Sequence, residues 1–113
     1  MLNRKAETDP GRLRLRLILE KPTSVPDGAG GAVRGWTATG IVAADVRPVR
    51  AEERGTGEGI ADLVLQKIII RHRTDVRPGD RFRLGGRAFL ILAVSDPDED
   101  RRYLACLAEE GAA

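Results

Sequence analysis

The sequence predicts an all-β fold, a small closed antiparallel β-barrel of about six strands carrying two long exposed loops. Three observations point to it. Between Gln66 and Glu109 short apolar runs (QKIIIRHR, RFRLGGRAFLILAV, RRYLACLAEE) are separated by turn signals at 76–80 and 96–98, the pattern of successive hairpins. Residues 12–17 alternate strictly, with Arg12, Arg14 and Arg16 on one face of a strand and Leu13, Leu15, Leu17 and Leu19 on the other, the period-2 signature of a half-buried strand. And no stretch shows apolar spacing suited to a helix of three or more turns.

The elements follow in order. Residues 1–10 are polar and without apolar periodicity, so a flexible N-terminal arm is expected there. The first strand should end at Pro22, and 22–35, with Pro26-Asp27-Gly28 and further glycines, reads as a loop standing away from the barrel. Trp36, Ile41, Val42, Val46 and Val49 anchor a second strand, which Gly40 marks for a bulge or bend. Residues 49–62 carry both charge signs and no large apolar residue between Val49 and Ile60; they form the second long loop. The next strand is apolar on both sides, with Leu63, Leu65 and Ile69 on one face and Val64, Ile68 and Ile70 on the other. Since only one face of a small barrel looks inward, the outer one is expected to meet a loop or a second subunit. Gly85-Gly86 joins the next two strands as a tight hairpin, and the last strand follows Asp96-Pro97-Asp98.

A chain of 113 residues suits one domain, 1–113, with one modest core, and 4% aromatic content leaves aliphatic side chains to fill it. Sixteen of the 19 basic residues are Arg, which suits bidentate pairing at interfaces and equally suits a GC-rich coding sequence. The 17 carboxylates leave a net charge of only +2, so the pI near 9.1 does not by itself indicate a nucleic-acid binder. The single cysteine, Cys106, forms no internal disulfide and sits in an apolar strand, which suits a reducing compartment. No stretch approaches the length of a membrane span or of a signal peptide's apolar segment, so synthesis in the cytosol and no membrane partner are expected.

Catalytic chemistry finds little support. His72 and Cys106, each the single residue of its kind, are 34 positions apart, and no zinc ligand set exists. Asp96, Asp98, Glu99 and Asp100 lack the glycine and closing glutamate of a calcium loop and read as a solvated turn. Gly55-Thr56-Gly57-Glu58-Gly59 lacks the Lys-Ser/Thr of a phosphate loop. Strand binding by stacking would need a row of aromatics, whereas Trp36, Phe82, Phe89 and Tyr103 are scattered and both Phe fall at core positions. No catalytic, cofactor or metal residue is assigned.

In order along the chain, Lys21-Pro22, Gly30-Gly31, Trp36, Val46-Arg47-Pro48, Ile68-Ile69-Ile70-Arg71-His72-Arg73, the 76–81 turn, Gly86-Arg87-Ala88-Phe89 and Asp96-Pro97 resemble the head-tail joining (connector, adaptor or stopper) family of tailed phages, which includes the equivalent component of gene transfer agents. The resemblance implies a non-enzymatic barrel that forms a homo-oligomeric ring at the head-tail junction of a virion or phage-like particle assembled in the bacterial cytoplasm. Its expected partners are portal or adaptor ring proteins, tail terminator or tail tube proteins, and packaged double-stranded DNA, held non-specifically. The loop 49–62 would face the channel with Arg50, Glu52, Glu53, Arg54 and Glu58, although it is glycine-rich and lacks the aromatic, helix-prone segment of many relatives. Leu63, Leu65, Ile69, Arg71 and Arg73 are the expected subunit interface. A tail terminator ring protein and a monomeric nucleic-acid-binding barrel are the alternatives.

Overall fold

The computed structural model describes residues 10–49 and 64–113. After a single 3-10 turn, Pro10–Arg12, six strands follow: β1 Leu15–Pro26, β2 Ala32–Pro48, β3 Leu65–Arg71, β4 Arg81–Leu84, β5 Arg87–Ser95 and β6 Tyr103–Ala112. They close in the order β1-β2-β3-β6-β5-β4, every neighbour antiparallel. Closure rests on a short ladder between β1 and β4, Ile18↔Arg83, Leu19↔Phe82 and Glu20↔Arg81.

The core is aliphatic around two rings. Phe82 and Phe89 face each other across β4 and β5 with no exposure, joined by Leu17, Leu19, Val42, Ile68, Ile70, Ile91, Leu104 and Cys106. Two bulges keep the inward rows aligned. On β5 the register steps from Ile91↔Ala108 to Ala93↔Leu107, which leaves Leu92 extra and exposed; Phe89 and Ile91 point inward before it, and Val94 packs on the core after it. On β2 the extra residue is Thr39, between Gly40 and Ala38, one position from the expected Gly40 bend. The Gly85-Gly86 hairpin is a two-residue turn as expected, with positive φ (59°) at Gly85 alone, the pattern of a type II′ turn.

Two expectations change. Arg12 and Arg14 lie before β1, where Arg12 ends the 3-10 turn and Arg14 Nε donates to the Gly11 carbonyl at 2.9 Å, so of the three arginines only Arg16 is on a strand. More consequential, most of 22–35 is not a loop. β1 runs through Pro22 to Pro26 and pairs with β2 back to Ala32, so the two strands leave the barrel as a two-stranded arm with only 27–31 as its turn. Prolines tolerate this because they sit where a ribbon edge needs no inward N–H. The other long loop, 49–62, begins at Val49, and its remaining residues lie outside the described ones. Its flanks are pinched together, with the Val49 N–H donating to the Leu65 carbonyl at 3.0 Å.

Packing density sets the first expectation. Phe82→Ala should lower the urea midpoint by an amount equal to about 3–5 kcal/mol at unchanged m-value, while Leu92→Ala, on the exposed bulge, should cost less than about 1 kcal/mol.

Candidate functional site: the base of the hairpin arm

Where β1 leaves the barrel, consecutive residues Glu20 and Lys21 point to opposite faces of the strand, as strand geometry requires. Each meets a fixed partner. Glu20, 6% exposed, lies opposite Arg81 in the β1–β4 ladder and accepts from Arg81 Nε at 2.6 Å and from Arg83 Nε at 3.2 Å. The same Arg81 guanidinium lies 4.4 Å from the centroid of the Trp36 ring, on β2. It therefore joins three strands: its own, the Glu20 strand and the Trp36 strand. On the opposite face the Lys21 ammonium donates to the Asp80 carboxylate and to the Asp75 carbonyl.

Asp80, 5% exposed, is itself positioned by the turn before β4. Its carboxylate accepts from the Arg77 N–H at 2.9 Å, and its own N–H donates to the Arg77 carbonyl at 3.1 Å. Gly79, at φ 96°, gives the turn a backbone conformation that a side chain would strain. The turn docks on β5 through Gly79 N–H to Ile91 O and Ile91 N–H to Asp80 O, both 2.9 Å, and Val76 plugs this end of the core. The arm is thus gripped from both faces by three ion pairs on two carboxylates, Glu20 and Asp80, that are almost wholly buried.

The far end of the arm is ordered by Asp27. Its carboxylate accepts from the N–H groups of Ala29 (2.8 Å) and Gly31 (3.1 Å), which lower its pKa, and its own N–H closes the ribbon on Gly31 O. Between tip and base the arm is open to solvent, and its Val25/Val33 cross-strand pair is 59% and 63% exposed.

Elsewhere the expected residues are distributed as follows. Arg50, Glu52, Glu53, Arg54, Glu58 and Leu63 lie outside the described residues. Leu65 (8%) and Ile69 (5%) are covered by the chain itself, so the outer face of β3 presents neither of them to a neighbour. Arg71 is exposed, and Arg73 forms a two-pronged pair with Asp75 at 2.5 and 2.7 Å. With the exposed Ile41 they line a shallow groove of about 560 Å³. A larger open groove, about 830 Å³, lies over the outer face of β2, β3, β6 and β5, with Arg47 and Lys67 beside Ala93, Ala105 and Leu107.

The charged groups at the base of the arm are paired with one another. Cys106 is sealed in the core, where burial pushes its thiol up to about 12, so it stays protonated at neutral pH and is no nucleophile. Among the described residues no three His, Cys, Asp or Glu side chains gather as a metal site. The Asp96 carboxylate is used within its own turn, accepting from the Arg101 N–H at 2.8 Å. Among the described residues there is no stacking platform: Phe82, Phe89 and Tyr103 are buried and Trp36 carries Arg81 on its ring.

The family model described as phage head completion protein matches residues 8–111. The chain belongs to the phage head completion protein family. Among solved structures, a chain of the virion of a native gene transfer agent particle is 36% identical, with 88% of this chain and 96% of that one covered at a TM-score of 0.65. The solution structure of protein SF1141 from Shigella flexneri 2a is 28% identical, covering 92% and 97% at a TM-score of 0.71. No curated protein matches. Much of the sequence resemblance falls at the clamp: Lys21-Pro22, Trp36 and the 76–81 turn, far apart in the chain, meet at the base of the arm. Glu20, which holds Arg81 in place there, carried no such signal; its role depends on a contact with Arg81 made 61 positions away.

Glu20 also sets a pH dependence. Burial by itself raises the pKa of its carboxyl, but the hydrogen bonds and charges of Arg81 and Arg83 outweigh burial and hold it below the ordinary 4.5. A lowered folded-state pKa stabilises above the ordinary value, and that stabilisation is lost as pH falls through it. Glu20→Gln should therefore cost about 2–3 kcal/mol at neutral pH. In urea unfolding at stepped pH, the gap between variant and parent should narrow as pH falls below 4.5.

Proposed function

We propose that this protein is a ring-forming component of the head-tail joint of a phage-like particle, docking between the portal or adaptor ring and the tail and helping to close the DNA channel. Membership of the phage head completion family makes it a structural component of a phage or phage-like particle. The observation that carries the finer reading is the match, over nearly its whole length, to a chain of a gene transfer agent virion.

The geometry supplies the parts such a joint needs. The closed barrel is a rigid body without sheet edges of its own. The arm projects beyond Glu20, and the flanks of the loop 49–62, Val49 and Val64, lie at the opposite end of β2 from the arm. With its flanks tied by the Val49–Leu65 hydrogen bond, the loop leaves and re-enters the barrel at one point, an arrangement suited to presenting Arg50, Glu52, Glu53, Arg54 and Glu58 to a channel. Their mixed charge offers DNA weak, releasable contact, whereas a purely basic lining would hold it tightly. In the ring, the groove bearing Ile41, Arg71 and Arg73 is the candidate subunit contact, in place of the self-covered Leu65 and Ile69.

Changing Arg50, Glu52, Glu53 and Arg54 together to Ser should leave particle assembly intact while packaged DNA leaks or ejects poorly, measured as nuclease-protected DNA per particle. Unchanged retention removes the channel role and leaves the docking role standing. Density for the chain one layer further down, at the tail terminator position, or nowhere in the particle, overturns the joint assignment.

A further inference from the structure

The two edges of the arm are not equivalent. In an antiparallel ribbon, alternate residue pairs turn their backbone N–H and C=O groups inward and outward. The Asp27 N–H donates to Gly31 O, so Val25/Val33, Thr23/Gly35 and Lys21/Thr37 turn inward. Pro22, Ser24 and Pro26 on β1, and Ala32, Arg34, Trp36 and Ala38 on β2, then turn outward. Along β1 two of these outward positions are prolines, which donate nothing, and Ser24 alone keeps an N–H. Along β2 each outward residue keeps both groups, no proline or lysine interrupts 32–43, and among the described residues no strand other than β1 pairs with β2 before Ala44. One edge is blunted and the other is left open, where proteins normally protect both.

The open edge is also cationic. Arg34 is exposed and takes part in no hydrogen bond or ion pair among the described residues, and beside it on the Trp36 face Arg81 and Arg83 share one carboxylate, Glu20. A second copy fits poorly here. Its barrel is closed, its β1 arm edge is blunted, and its own β2 edge contains no carboxylate between Ala32 and Ala43. We propose that the β2 edge of the arm receives an added strand from a different protein of the particle, an extended segment that places a carboxylate over Arg34. The proposal rests on the assignment to a particle.

Amide hydrogen exchange tests it, comparing the isolated protein with purified particles. In the isolated protein the outward amides of Arg34, Trp36 and Ala38 should exchange at least about tenfold faster than the inward ones of Val33, Gly35 and Thr37. In the particle the outward set should slow to match. Ala32→Pro with Ala38→Pro copies the blunting of β1 without removing an inward N–H, and Arg34→Glu reverses the charge; both should lower incorporation into particles at least about tenfold while leaving the thermal midpoint within a few degrees of the parent. Outward amides that stay fast in particles containing the protein, or blunted variants that incorporate normally, overturn the strand addition. Protection that appears in the isolated protein as its concentration rises overturns the choice of partner in favour of a second copy. Absence of the protein from particles instead overturns the functional assignment on which the proposal stands.

Discussion

A carboxylate buried between two strands must be satisfied, and Glu20 is satisfied only if β4 closes onto β1. Closure brings Arg81 and Arg83 to within 2.6 and 3.2 Å of it, and the guanidinium that reaches Glu20 also covers Trp36. Breaking the ladder would leave a buried charge without its partners, a strongly unfavourable state. The barrel seam and the anchor of the arm are therefore one structure. The Lys21–Asp80 pair repeats the arrangement on the opposite face, and through Asp80 ties the arm to the turn that plugs the core with Val76.

What this anchoring accomplishes is rigidity where packing is absent. Beyond Glu20 the arm has no core: Val25 and Val33 remain exposed, and its order comes from the ribbon ladder, the Asp27 turn at its tip and the clamp at its base. A projecting element binds a partner with less entropy lost when its direction is already set. The sequence of the loop 49–62 is rich in glycine and charge, and its flanks are held by backbone hydrogen bonds, Val49 N–H to Leu65 O and Glu110 N–H to Val64 O.

The barrel was largely legible in the sequence because its signals are local. Alternation around Leu17 and Leu19, the Gly85-Gly86 turn and the apolar runs of β3, β5 and β6 each announce themselves within a few residues. The bulge at Leu92 did not, since an extra residue in an apolar strand leaves no mark in composition. The arm was misread as a loop because proline and glycine content is the usual loop signal, and only the pairing partner reveals that Pro22 and Pro26 stand at outward positions. The apolar outer face of β3 suggested a subunit contact, yet Leu65 and Ile69 are covered within the chain. The clamp was half visible: its motif residues carried the family resemblance, while Glu20, paired across 61 positions, could not be seen before closure was known.

The central claim is that barrel and arm form one rigid body through Glu20 and Arg81. A distance distribution between spin labels on Ala29→Cys, at the arm tip, and Lys67→Cys, on β3, tests it directly, since buried Cys106, its thiol raised to about 12, does not compete for label. The account predicts a single narrow distance that broadens when Glu20→Gln is added. A broad distribution in the otherwise unaltered protein, or one that Glu20→Gln leaves unchanged, would contradict it.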